Sequence, residues 1–258
     1  MKVIILAGGL GTRLAEETLM LPKPMVEVGG RPILWHIMKM YSYFGINDFI
    51  ICCGYKGYII KEFFNNYILH KSDVTFDLKK QKISIPTKVK EPWKVTLVDT
   101  GENTMTGGRL KRVKKYLKNE KAFCFTYGDG LGNINISNLI AFHLKHQKLA
   151  TLTAVRPQAR FGLVNFDKNN RVTNFREKPR GEQTWINGGF FVLNPKVLDF
   201  IEDDKTSWEK EPLNTLTTKG ELYAYRHNDF WMPMDTLRDK RTLNNLWLSD
   251  KAPWKLWE

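Results

Sequence analysis

An arginine behind three glycines and a lysine held between two prolines are the residues of this chain best suited, by type and spacing, to handle phosphate. The stretch ILAGGLGTRL, Ile5 to Leu14, places Gly8, Gly9 and Gly11 after an apolar run and follows them with Thr12 and Arg13. Glycines let the backbone turn tightly and bring its N–H groups against a large ligand, and an anion suits the point where a buried strand ends in such a turn. In LPKPM, Pro22 and Pro24 fix the backbone on either side of Lys23, so its ammonium rides on a stiffened segment. A compact charge carried that way suits phosphate. Asp129 lies between Gly128 and Gly130 just past the apolar run AFCFTY. A carboxylate there either binds a hard cation such as magnesium or simply makes a turn.

Two common phosphate motifs are excluded. A P-loop needs Gly, four residues, then Gly-Lys-Ser/Thr, and the stretch from Gly8 through Arg13 offers no such Lys-Ser/Thr pair. The dinucleotide fingerprint Gly-x-Gly-x-x-Gly fits Gly9 and Gly11 but fails at Leu14. None of the five histidines stands in a nucleophile motif.

The elements that must position these residues alternate. Residues 2–6 read as a strand, and Pro32 opens a helix on which Ile33, Leu34, Ile37, Met38 and Tyr41 share a face. Residues 49–53 form a second strand, 58–70 an amphipathic helix, 95–98 a strand, 108–118 a helix and 122–127 a strand. A helix over 136–147 and a strand over 150–155 continue the alternation, which predicts a doubly wound, mainly parallel sheet of Rossmann-like α/β type. Beyond residue 156 the texture changes: 161–179 reads as a late β-hairpin insertion turning at Asp167–Asn170. A strand over 186–195, helices near 208–219 and 236–248 and a strand at 221–226 follow. No repeat or linker divides the chain, so residues 1–258 are expected to form one domain.

With 42% hydrophobic and 12% aromatic residues, the chain can bury a substantial core. Its net charge is +13, from 40 Lys and Arg against 27 Asp and Glu. That balance attracts nucleic acid, acidic lipid or phosphorylated small molecules, or merely solvates the surface. The densest basic stretch, residues 109–118, has the look of a helix face, and no aromatic-interleaved basic patch suggests nucleic acid. Cys52, Cys53 and Cys124 lie inside apolar runs with neither disulfide nor zinc spacing, which fits a reducing, cytoplasmic setting. No signal peptide or apolar stretch of membrane-spanning length is evident.

The pair LAGGLGTRL and PKPM, with YGDG (127–130), EKP (177–179), NGG (187–189) and FWMPMDT (230–236), resembles the sugar-phosphate nucleotidyltransferases over nearly the whole chain. CGYKG (53–57), VTLVDTG (95–101), TGGRLKRV (106–113) and MDTLRDK (234–240) are similar to the branch that joins CTP and α-D-glucose 1-phosphate into CDP-glucose and pyrophosphate. UTP or dTTP in place of CTP, or an inactive nucleotide-binding regulatory subunit, are the alternatives. The resemblance implies that Leu6, Ala7, Gly8, Gly9, Leu10 and Gly11 hold nucleotide, residues 1–155 forming mainly that half. Thr12 and Arg13 would cradle the phosphates, Arg13 on the β/γ groups, and Lys23 would approach the α-phosphate. Arg109, Thr104 and Gly128 complete the nucleotide set, while Glu177, Lys178, Asn187 and Gly188 belong to the sugar phosphate. Residues 156–258 would supply mainly that second half. Asp129 and Asp235 are the implied Mg²⁺ ligands, although Asp235 lies two residues beyond the family's usual Trp-x-Asp spacing; Asp239 is expected on a helix surface or in an ion pair. The resemblance also implies a homo-oligomer, a hexamer, with no nucleic-acid or membrane partner. Which groups tell cytosine from uracil cannot be derived from it.

Overall fold

The computed structural model describes residues 1–86, 91–157, 163–176 and 184–257. The elements used below are, in chain order, β1 Lys2–Ala7, α1 Ile33–Tyr43, β2 Asp48–Cys53, α2 Gly57–Asn65, β3 Lys94–Asp99, α3 Thr106–Arg112 and β4 Phe123–Tyr127. They continue with β5 Gly130–Gly132, α4 Ile136–His146, β6 Ala150–Val155, β7 Ile186–Leu193, α5 Glu211–Thr218, β8 Leu222–His227, β9 Trp231–Pro233 and α6 Leu237–Leu248.

Seven strands form the central sheet in the order β8-β6-β7-β4-β1-β2-β3. β1 pairs in parallel with β2 and β4, β2 with β3, and β6 with β8; β7 alone runs antiparallel, to both β4 and β6. The expected doubly wound α/β sheet is therefore present, and it is mixed. Along β1 the alternation of side chains divides the core. Val3, Ile5 and Ala7 pack with Ile33, Ile37 and Met38 of α1, whereas Ile4 and Leu6 pack with Leu110, Val113 and Trp208 on the opposite face. Burial on both faces explains why this central strand reads as an unbroken apolar run.

The expected elements recur with shifted ends. The helix expected over 58–70 breaks at Asn66 into α2 and a short turn, Tyr67–Lys71, because two consecutive asparagines favour local hydrogen bonds over helix interior. That expected over 108–118 is α3 followed by a tighter turn, Lys114–Leu117. The late hairpin is present where described, Leu163–Phe166 against Val172–Arg176, with the Asp167 carboxylate accepting the Asn169 and Arg171 amides at the turn. A second hairpin, Thr75–Asp77 with Lys82–Ser84, had no sequence signal we recognised. The basic stretch after Arg109 largely serves its own chain: Lys111 donates to the carbonyls of Ile201 and Glu202, Arg112 pairs with Asp204 and Lys114 with Asp199. All three cysteines are free and buried; burial pushes Cys53 up to about 11 and Cys124 up to about 12, and raises Cys52 too, so none is a nucleophile at neutral pH. No helix among the described residues is long and apolar enough to cross a membrane.

Candidate active site

The carboxyl ends of β1 and β4 open into a cleft of about 590 Å³. Open α/β sheets bind ligands at this edge. Leu6, Ala7, Gly8, Gly9, Gly11, Thr12, Arg13, Lys23, Thr104, Arg109, Gly128, Asp129, Asn187, Gly188 and Asp235 all line it. Leu10 does not: its side chain is half exposed outside the lining set. Glu177 and Lys178 lie outside the described residues.

At the centre of the cleft four charged side chains meet. The Lys23 ammonium donates to Asp129 Oδ2 and to Asp235 Oδ1, both at 2.6 Å, and Arg13 donates to Asp235 Oδ2 at 2.6 Å. Lys23 and Asp235 are buried, while the Arg13 side chain is 72% exposed and free to swing toward a ligand. Local structure sets each group in place. Lys23 starts a tight turn, Lys23–Met25, whose flanking prolines are both buried, so the stiffened segment expected from LPKPM is real. Asp129 follows β4 directly, and its carbonyl accepts the amide of Met234, the residue before Asp235. The small antiparallel pair of β5 and β9 holds these two segments side by side.

Asp239 corrects the expectation of a surface position. It is buried, and its Oδ2 accepts the amides of Asp235 and Thr236, while the Thr236 hydroxyl accepts the amide of Asp239. This capping box starts α6 and fixes the backbone that carries Asp235. The Thr-x-x-Asp spacing at 236–239 was the sequence signal for it.

Arg109, in the cleft as expected, is also held by the protein itself. Its guanidinium is buried and bonded to Thr100 Oγ1 and to the carbonyls of Cys53, Gly101, Gly8 and Glu102, at 2.7–3.3 Å. Burial lowers its pKa from the ordinary arginine value, and these oxygens engage both terminal nitrogens of the guanidinium. Arg109 thus ties the glycine loop to the ends of β2 and β3. Gly8 is required by that arrangement, since a Cβ there would lie 2.1 Å from Arg109 Nη1. Gly11 is required by its turn, at φ +67°.

The sequence reading missed Tyr127 and Glu209, which both line the cleft. The Tyr127 hydroxyl donates to Glu209 Oε1, and Thr106 and Ser207 donate to Oε2. Burial, with the Glu209 carboxylate beside it, pushes the Tyr127 phenol far above its ordinary pKa, so it stays a neutral donor. Glu209 lies between helices in a loop without any motif, which left it invisible.

Oxygen donors from two carboxylates already converge on one cation, the Lys23 ammonium, so the pair fits a hard divalent ion. No group of three or more His, Cys, Asp or Glu among the described residues could hold a metal. Further ligands would have to come from phosphate and water, the usual manner for Mg²⁺. No His, Ser or Cys is among the described residues lining the cleft.

The fold and cleft are those of an α/β protein with a charged site at the carboxyl edge of its sheet, and residues 2–239 match the nucleotidyl transferase family; the chain belongs to it. It is 61% identical to the glucose-1-phosphate cytidylyltransferase of Salmonella typhimurium and 43% identical to a probable glucose-1-phosphate cytidylyltransferase of Bacillus subtilis, each over the full length of both chains. Among solved structures, HddC from Yersinia pseudotuberculosis is similar with a TM-score of 0.69 and 25% identity, over 95% of this chain and 99% of that one.

Proposed function

We propose that the chain transfers the cytidylyl group of CTP to α-D-glucose 1-phosphate, giving CDP-glucose and pyrophosphate, with residues 1–258 acting as one domain. One observation carries the reaction type: Lys23, Arg13, Asp129 and Asp235 converge in a cleft whose described lining holds no His, Ser or Cys. The full-length likeness to the Salmonella enzyme supports the choice of substrates.

The chemistry asks for little else. A sugar phosphate is anionic at neutral pH, so its oxygen attacks the α-phosphorus of CTP without a general base. Rate then comes from in-line positioning and from neutralising charge on the phosphates. The loop from Leu6 to Thr12 holds the nucleotide, with Arg109 fixing its shape through Gly8. Arg13, exposed and hinged on a glycine-rich turn, moves to the β/γ-phosphates, where the leaving pyrophosphate gathers charge. Lys23 turns from the carboxylates to the α-phosphate. Asp129 and Asp235 hold Mg²⁺, which screens the phosphate charges when bound. Asn187 and Gly188, with Glu177 and Lys178, take the sugar phosphate; Lys178→Ala should raise KM for glucose 1-phosphate. A cytoplasmic homo-oligomer, a hexamer, completes the reading; the three buried free thiols favour that compartment.

The test is pyrophosphate release from glucose 1-phosphate and Mg²⁺ with CTP, UTP, dTTP, ATP and GTP in parallel. Release with CTP well above the others is expected. Preference for UTP or dTTP would overturn the base assignment, and silence with all five from folded protein would point to a different sugar phosphate first and to an inactive subunit next.

A further inference from the structure

We propose that Glu209, backed by Tyr127, is a specificity-determining residue that reads an uncharged hydrogen-bond donor on the bound substrates, a sugar hydroxyl or the exocyclic amine of the base. The inference rests on the proposed reaction and adds a recognition element to it.

The argument begins with the donor count. Glu209 Oε2 already accepts two hydroxyls, from Thr106 at 2.6 Å and Ser207 at 2.8 Å. Oε1 accepts one, from Tyr127 at 2.5 Å. A carboxylate oxygen takes about two donors, so Oε1 keeps one acceptor site for a ligand. The phenol hydrogen is committed to Glu209, which leaves the Tyr127 oxygen able to accept as well. This part of the cleft wall therefore offers acceptors and a negative charge, and it repels the phosphates that Arg13 and Lys23 attract. A neutral ligand group that donates is the complement.

Position supports the same conclusion. Thr106 begins α3, the helix whose Arg109 shapes the glycine loop, and its hydroxyl also accepts the Trp208 amide. Tyr127 ends β4, in register with Leu6 on β1. It lines the same cleft as Asn187, on the side expected to take the sugar phosphate. Glu209 thus stands where the nucleotide and sugar halves of the cleft meet. Its oxygens are locked by three hydroxyls from separate points of the chain, which fixes the direction of the remaining acceptor. Glu209 is exposed in the ligand-free cleft, and a bound substrate that covers it without offering the donor leaves the acceptor unpaired.

The experiment compares the unmodified chain with Glu209→Gln across substrates, reading kcat/KM. The nucleotide arm sets CTP against UTP; the sugar arm sets glucose 1-phosphate against analogues in which one hydroxyl at a time is replaced by hydrogen. With the natural pair, Glu209→Gln is expected to lower kcat/KM about 10- to 100-fold, the range for a hydrogen bond to a charged group. If the donor is the base amine, the CTP-over-UTP preference shrinks by that factor and every sugar shows the full loss. If it is a sugar hydroxyl, one deoxy analogue shows no further loss on substitution and the base preference is unchanged. The same loss with every substrate, or no loss with any, overturns the proposal. Because substrates are compared within one protein, a general loss of stability cancels. Should Glu209→Gln fail to fold, Glu209→Asp withdraws the carboxylate by one methylene and is expected to shrink the same substrate preference; unchanged discrimination there would overturn the assignment to Glu209. An unmodified chain that fails to use CTP with glucose 1-phosphate would instead refute the proposed reaction.

Discussion

Replacing Lys23 with methionine should convert a self-neutralised centre into one that needs a divalent cation to remain stable. Asp129 and Asp235 each place an oxygen 2.6 Å from the Lys23 nitrogen, and Lys23 and Asp235 are buried. Without the ammonium, two carboxylate oxygens face each other no more than roughly 5 Å apart, a repulsion of about 3 kcal/mol at an effective dielectric of about 20. Arg13 still contacts Asp235, but its exposed side chain offsets little of this. At about 2–4 °C per kcal/mol for a chain of this size, Lys23→Met should melt about 6–12 °C lower in EDTA. Millimolar Mg²⁺ or Mn²⁺ should restore most of that loss, since a cation that binds only the folded state stabilises it by mass action. The unmodified chain, with its ammonium in place, should respond far less to the same ions in the absence of nucleotide. Thermal melts of both proteins, with EDTA and with each cation, decide the matter. A Lys23→Met protein that melts like the parent, or whose loss no divalent cation repairs, would refute the reasoning.

Asp129→Asn and Asp235→Asn should each lower kcat at least about 100-fold while far-UV circular dichroism stays unchanged, because metal-assisted charge stabilisation is worth several kcal/mol; near-normal rates would contradict the carboxylate roles. Arg109→Lys cannot satisfy all five oxygens now bonded to the guanidinium, and each buried carbonyl left unpaired costs about 1–3 kcal/mol. The melting point should fall and KM for CTP rise, with KM for glucose 1-phosphate little changed; unaltered stability would restore a direct phosphate role. His36 accepts from the Trp254 indole at Nδ1 and donates to the Val28 carbonyl through Nε2, and burial lowers its pKa to about 4. The unfolded chain, with an ordinary histidine near 6.5, takes up that proton first as pH falls. Stability should therefore be held above pH 6.5 and lost between 6.5 and 4, by at most about 3 kcal/mol from this residue. Urea denaturation across that range should show the slope, and His36→Gln should flatten it.

The central strands and the glycine loop were legible because their physics is local. β1, β2 and β4 are short apolar runs, and Gly8, Gly9, Gly11, Lys23 and Asp129 announce themselves by their immediate neighbours. Residues whose roles depend on distant partners were harder to read. Arg109 stands at the start of a basic run and gave no hint that five backbone and side-chain oxygens would enclose it. Asp239 looked like a surface acid until the fold showed its carboxylate capping the backbone beside Asp235. The direct pairing of Lys23 with both aspartates joins residues more than a hundred positions apart, and no spacing rule encodes it. Glu209 depends on hydroxyls from Thr106, Tyr127 and Ser207 and carries meaning only once they meet.

The most direct test of the account is the stereochemical course at phosphorus, followed with a single diastereomer of CTP bearing sulfur on the α-phosphorus and with glucose 1-phosphate as acceptor. The proposed mechanism, in which the cleft supplies charge and positioning and the sugar phosphate itself attacks, predicts one in-line displacement, and CDP-glucose with inverted configuration. Retention would require two displacements through a covalent nucleotidyl-enzyme, and would contradict the mechanism drawn from Arg13, Lys23, Asp129 and Asp235.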